Sequence, residues 1–293
     1  MNLGEIFLDS LIDCAKMLPL IFLTYIIIEI IERKADFAKH GKFLEGKFAP
    51  LLGSLAGVFP QCGVSVMSAK LLEKGLIGAG TLLSVFIATS DEAFSILIAS
   101  DKRIDILPLM GIKILLAVVI GYAVNALVKK RIVYDKGDTF GHEEVCAHCH
   151  DHVHAEGKYA WISKYVLIPL LHAFQTFLYV FAVTFVFGIF FGEEGLIGEE
   201  KFTEFLSASK YFGPFVSALV GLIPNCASSA VITSAYISGG ISFGSMFSGL
   251  VSNAGVGLAV LFKNTSKLKR NLLILSSLYL IGSLSGLIIN LIV

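Results

Sequence analysis

Asp91 and Glu92 stand side by side in the phrase Ala88-Thr-Ser-Asp-Glu-Ala93, inside an apolar stretch that runs from residue 79 to residue 100. An ionisable side chain at mid-membrane depth costs several kcal/mol, so such residues mark ion pathways by default. Two adjacent carboxylates suit a divalent cation, and Thr89 and Ser90 add hydroxyl oxygens beside them; the alternative is that the helix ends early and Asp91 and Glu92 sit in a turn at headgroup level. Two further phrases carry ligand atoms: Phe59-Pro-Gln-Cys-Gly-Val-Ser65 and Ile223-Pro-Asn-Cys-Ala-Ser-Ser229. A proline removes a backbone N–H and displaces the carbonyl one turn back, so Pro60 and Pro224 each break a helix. Around the breaks, Gln61, Cys62 and Ser65 on one side, and Asn225, Cys226, Ser228 and Ser229 on the other, offer carbonyl, thiol and hydroxyl ligands. Irregular backbone in hydrocarbon survives only where it is buried in protein or lines a cavity. The two tips are therefore expected to be half-sites that meet. Tight helical turns lined with small residues for close packing would look the same in sequence.

A third cluster has a different character. His142, Cys146, His148, Cys149, His150, His152 and His154 fall within thirteen residues, with Glu143, Glu144 and Asp151 among them. Cys-x-x-Cys interleaved with imidazoles supplies the N and S ligands that hold Zn and other transition metals. The run is too dense for one fixed structural zinc site, and it does not discriminate among divalent ions. Asp13 and Lys16, near the start of one apolar stretch, and His172 and Gln175, near the start of another, are either proton-relay groups or interfacial residues. Cys14 lies apart from the other cysteines, and no disulfide framework is implied. There is no nucleotide-binding loop, no catalytic triad and no basic patch suited to nucleic acid, so an enzyme is not expected. No resident cofactor is expected either; the metal would be transported or regulatory cargo.

These residues need elements to position them, and the composition says which. Of 293 residues 55% are apolar and only 16% charged, with a mean hydropathy of +0.79. A soluble domain would carry about 25% charged residues. Apolar stretches near the ~20 residues that cross a bilayer lie at 11–31, 79–100, 104–127, 162–191, 241–262 and 271–292, and two more, 48–72 and 212–236, are broken by Pro60 and Pro224. The mildly acidic first residues lack the basic region and cleavage site of a signal peptide, so the first stretch is expected to remain as a helix.

The chain also contains itself. Residues 48–97 moved by 164 fall on residues 212–261 with eleven identities, among them Pro50/Pro214, Gly57/Gly221, Pro60/Pro224, Cys62/Cys226, Ser65/Ser229, Gly80/Gly244 and Ser84/Ser248. A shift of one more residue aligns Gly121 with Gly286 and Asn125 with Asn290. Duplicated hydrophobic units with matching Pro and Gly breaks point to the binding site of a transporter. Asn253 falls opposite Thr89 and Gly255 opposite Asp91, so the charge belongs to one copy.

Lysines and arginines orient the spans. Loop 32–47 has Arg33, Lys34, Lys39, Lys42 and Lys47; Lys129, Lys130 and Arg131 follow another span; Lys263, Lys267, Lys269 and Arg270 fill a third loop. The loop 192–210 is acidic, with Glu193, Glu194, Glu199, Glu200 and Glu204. The basic loops belong in the cytoplasm. That holds only if 48–72 and 212–236 enter and leave on one side. The competing arrangement makes them ordinary kinked spanning helices and puts Lys129-Lys130-Arg131 outside. The expected fold is thus an all-α polytopic membrane protein of two inverted-topology repeats, 1–128 and 161–293. Each has three spanning helices and one broken or re-entrant helical hairpin, about ten transmembrane segments in all. Residues 129–160 form a cytoplasmic His/Cys-rich linker.

With twin Pro-Gln-Cys-Gly and Pro-Asn-Cys-Ala tips, a Ser-Asp-Glu inside a helix and a central His/Cys loop, the chain resembles over its whole length the ten-helix heavy-metal exporters. That bacterial and archaeal family is related to organoarsenical permeases and is variously labelled arsenic efflux protein or manganese transporter. The resemblance implies metal or metalloid efflux and ten helices. Asp91, Glu92, Asn225, Asn253 and the serines suit a manganese-like divalent metal, exported from the cytoplasm by proton exchange. Cys62 and Cys226 suit arsenite or an organoarsenical. A sensor or scaffold that transports nothing is the reading from another class. The expected setting is the inner (plasma) membrane, multi-pass, with metal and lipid as partners. Gly282-x-x-x-Gly286 fits either packing within the chain or a homodimer. Reporters of sidedness at residues 101–103 and 265–268 should read outside and inside respectively; the same reading at both would overturn the inverted arrangement.

Overall fold

The computed structural model describes residues 46, 48–58, 62–73, 75–89, 91–127, 167–191, 212–224, 226–263 and 267–292, with separate positions between residues 4 and 26. Every element among them is helical: α1 is Ala49–Gly57, α2 Cys62–Glu73, α3 Ala79–Ala88, α4 Asp91–Ala99 and α5 Ile106–Leu127, preceded by a 3-10 turn at Arg103–Asp105. After α6, Ile168–Phe191, come α7 Gly213–Gly221, α8 Cys226–Ile237, α9 Phe243–Ser252, α10 Val256–Lys263 and α11 Leu268–Ile292. Adding 164 to the bounds of α1, α2 and α3 (49–57, 62–73, 79–88) gives those of α7, α8 and α9 (213–221, 226–237, 243–252). The duplicated sequence makes duplicated elements in the same order.

Four helical stretches among the described residues are long and apolar enough to cross a membrane: Ala79–Ala99, Arg103–Leu127, Phe243–Lys263 and Leu268–Ile292. Two of the expected spans need correction, because 79–100 and 241–262 read as continuous helices and are not. Thr89 leaves the helix with φ −63° and ψ 132°, and Asn253 does so with φ −77° and ψ 102°. The apolar pattern continues through both interruptions, so hydropathy carries no trace of them. Of the expected span 162–191, the helix α6 begins at Ile168. Most of 11–31 and all of the linker 129–160 lie outside the described residues.

Small residues set how these helices meet. A Cβ on Gly53 would lie 3.0 Å from Thr81 O, and one on Gly57 2.6 Å from Val85 O and 2.8 Å from the Ala88 Cβ. Thus α1 runs beside α3 in the same direction. Residues 74–78 join the end of α2 to the start of α3, so α1 begins and α2 ends at one end of the bundle. Gly213 against Ser245 and Gly221 against Gly249 place α7 on α9 in the same way. Helix α5 runs back along α3: a Cβ on Gly121 would lie 3.1 Å from the Gly80 carbonyl oxygen and 2.8 Å from the Pro50 Cβ, while Ser84 Oγ donates to Ala117 O at 2.9 Å. In the second copy Gly286 meets Gly244, Ser248 and Pro214, and Ser248 Oγ donates to Pro214 O at 2.6 Å. The Gly282-x-x-x-Gly286 face is filled by Ser248, Ser252 and Gly244 of α9, so this motif packs helices within the chain.

The copies then exchange partners. Helix α2 packs on α10, and α8 packs on α4. Ser65 near the start of α2 touches Gly257 at the start of α10, while at the other ends Lys70 and Glu73 interact electrostatically with Lys263. On the α8 side, Lys102 Nζ donates to Tyr236 O at 2.8 Å and the Tyr236 hydroxyl donates to Asp105 at 2.7 Å. The interrupted stretches lie innermost: over the most apolar 18 residues of each, 94% are buried in Phe243–Lys263 and 67% in Ala79–Ala99, against 22% in Arg103–Leu127 and 28% in Leu268–Ile292.

A side chain at residue 121 would have to enter this contact. Gly121→Val should lower stability by about 1–3 kcal/mol, as overpacking does. Gly111→Ala, on the same helix with nothing within 4 Å of its would-be Cβ, should leave the melting temperature in detergent unchanged.

Candidate transport site

Each copy places its candidate ligands on a helical hairpin and an interrupted span. In the second hairpin α7 stops at Gly221, turn bonds such as Ile223 N–H to Val220 O at 3.0 Å carry the chain to Pro224, and α8 starts at Cys226. The residue before a proline disfavours helix, so the break falls where Pro224 predicts it. Pro60 lies outside the described residues, but α1 and α2 leave the matching gap between Gly57 and Cys62. Both hairpins end on a glycine of positive φ, Gly75 at 71° and Gly239 at 79°. That left-handed geometry closes a helix C-terminus at no steric cost.

One tip and the two interruptions converge. Ser65 Oγ lies 3.4 Å from Thr89 Oγ1, and both residues are buried. Thr89 Oγ1 also donates to Val85 O at 2.7 Å. A Cβ on Gly257 would sit 2.7 Å from the Ser65 carbonyl oxygen, so α10 of one copy touches the hairpin of the other backbone to backbone. In the second copy Ser229 and Asn253 are the buried counterparts of Ser65 and Thr89. Asn253 Oδ1 accepts the Gly255 N–H at 2.8 Å, and Gly255 takes φ 54°, which shapes the turn into α10. Ser228, also buried, donates to Ile223 O at 3.4 Å.

One buried charged residue escaped the sequence reading. Lys113 on α5 is completely buried. Its ammonium donates to Thr89 O, at the end of α3, and at 2.9 Å to Leu250 O, in the last turn of α9. It joins the two interruptions, one from each copy. The signal was present: a lone lysine in Gly111-Ile-Lys-Ile-Leu-Leu, within a 22-residue helix otherwise without charge. Its counterpart at the 165-residue shift is Leu278.

Asp91 opens α4, so both carboxylate residues stand at a helix N-terminus, where the helix dipole favours negative charge. The side chains of Gln61, Cys62, Ser90, Asp91, Glu92, Asn225, Cys226, His172 and Gln175 lie outside what the structure describes, as do Asp13, Lys16 and the linker ligands His142 to His154. Among the described residues no group of three or more His, Cys, Asp or Glu is placed to hold a metal. What they do bring together is Ser65, Thr89, Lys113 and the Leu250 carbonyl, with Gly257 against the same hairpin.

A family model described as "Putative, 10TM heavy-metal exporter" matches residues 5–186 and 162–293, which together take in nearly all of the chain. No curated protein and no solved structure matches it significantly.

The backbone contact at Gly257 is the test of this convergence. Gly257→Val would push α10 away from Ser65, and transport measured in vesicles should fall at least tenfold in a protein that still inserts. Undiminished transport in that variant would show that the contact does not shape the site.

Proposed function

Because the chain belongs to the 10TM heavy-metal exporter family, we propose that it is a secondary transporter that carries a manganese-like divalent metal out of the cytoplasm in exchange for protons. The observation that carries this reading is the meeting of two interrupted spans and a hairpin tip in the protein interior. Ser65, Thr89, Asn253 and Ser229 are hard oxygen donors, and oxygen ligands suit Mg, Ca and Mn. Asp91 and Glu92 follow directly on Thr89 and would compensate a divalent charge. Discontinuous helices that line such a site are the means by which transporters put irregular backbone at membrane depth. His172 and Asp13 are the candidate proton-relay groups.

The membrane arrangement we infer is an inverted repeat with re-entrant hairpins. Its support is the partner exchange: the end of α2 interacts with Lys263 and Glu73 interacts with Arg270, while the end of α8 is bound to Lys102 and Asp105. The first hairpin then opens on the side of the basic loop 263–270 and the second on the side of residues 100–105. The basic loops face the cytoplasm of the inner membrane, and the linker 129–160 captures metal there with its Cys and His side chains. This capture is regulatory and lies off the pathway.

Uptake into everted vesicles tests the whole reading. Metal accumulation should be lost in Asp91→Asn, kept in Cys62→Ser, and abolished when the proton gradient is dissipated. The reverse pattern of the two variants would favour an arsenical permease, and no flux of any substrate would favour a sensor or scaffold. Replacing the seven Cys and His residues between 142 and 154 should leave the maximal rate nearly intact and shift only its dependence on metal concentration. Complete loss of transport in a correctly inserted variant would move the linker into the pathway.

A further inference from the structure

Lys113 holds carbonyls from both copies at the places where their spans are interrupted. Both carbonyls are C-terminal ones. Thr89 is the C-cap of α3, and Leu250 stands two residues before the end of α9. The last four carbonyls of a helix lack helical donors, and the C-terminal end carries about half a negative charge. Two such ends aimed at one point therefore present roughly one unit of negative charge in the interior. The C-terminal ends of half-helices are where transporters coordinate a small cation. Here an amine carried by the chain fills that position, with one N–H on each copy's carbonyl.

We infer that Lys113 is a tethered cation. It occupies a monovalent cation site built from the two half-helix C-termini, and it is the positioning residue that holds the interruptions together. An ammonium has no lone pair to give a metal, so it contributes charge and geometry and leaves ligation to the oxygens around it. The second copy carries Leu278 at the matching position, so the site exists once, although its scaffold is written twice. The consequence for transport is that the protein needs no dissolved monovalent cation at this point. Removing the amine should create that need.

The inference rests on the proposed transport reading only for its flux measurement, so stability is measured as well. Lys113→Ala deletes three carbons and the ammonium, which propylammonium replaces atom for atom. Metal flux in the full-length Lys113→Ala variant should fall at least tenfold and recover several-fold with millimolar propylammonium, while propanol gives no recovery and the wild type responds to neither. In detergent the melting temperature of Lys113→Ala should rise with propylammonium and not with propanol. Equal responses to both would overturn the inference. If Lys113→Ala does not fold, Lys113→Arg and Lys113→Met decide it: the charged variant should keep the higher melting temperature, and equal loss in both would overturn it. Absence of metal flux in the wild type would sink the transport reading and leave the melting-temperature comparison valid.

Discussion

An unpartnered backbone N–H or C=O in hydrocarbon costs several kcal/mol, and among the described residues apolar helices break at Thr89, at Asn253 and between α7 and α8, with a matching gap between α1 and α2. The rest of the architecture follows from hiding them. The interrupted spans take the interior, and the continuous helices α5 and α11 take the outside. Serine and threonine hydroxyls turn back to carbonyls one turn earlier, as Thr89 does to Val85 and Ser84 to Gly80. Where hydroxyls do not reach, Lys113 closes the carbonyls of Thr89 and Leu250. The candidate transport site and the solution to the backbone problem draw on the same set of groups.

The duplicated sequence carries two messages that only the structure separates. Gly80 with Gly121, Pro50 and Ser84, and Gly244 with Gly286, Pro214 and Ser248, are contacts of helix packing. They are identical in both copies because the same close approach is made twice. Leu55 and Leu219, also identical, are exposed on the outer surface. Of the identities, Ser65/Ser229 belong to the hairpins that follow the breaks, and Ser65 adjoins the candidate site. The positions that differ are the more informative there: Thr89 against Asn253, Asp91 against Gly255, and Lys113 against Leu278. Packing is symmetric, and the mid-span charges all belong to the first copy.

The helical class, the outer spans and the duplication were legible in the residues because each rests on composition or on a fixed spacing. The breaks at Thr89 and Asn253 were not. A hydropathy pattern reports what surrounds a segment, and both sides of these breaks are buried alike. Threonine and asparagine there are also unremarkable in a helix until the backbone turns. Lys113 was not singled out because a lone lysine in a long apolar helix belongs to no motif, and its counterpart in the second copy is Leu278. The exchange of α2 and α8 between copies had no local signal, since it depends on which surface each hairpin finds after the chain is assembled. The carboxylates were legible from their cost alone, and the structure adds that Asp91 starts a helix.

That exchange bears on how such a chain could have arisen. A protein of one copy alone would fold α1, α3 and α5 together through their glycines, yet its α2 would have no α10 to lie on. Its fourth helix would likewise lack the hairpin that covers it. In the inverted arrangement proposed above, the missing surfaces are supplied by a second copy inserted the other way up. On that proposal an ancestor half this length would have been complete only as a pair of oppositely oriented subunits, and gene fusion would have fixed in one polypeptide a ratio that insertion had earlier left to chance.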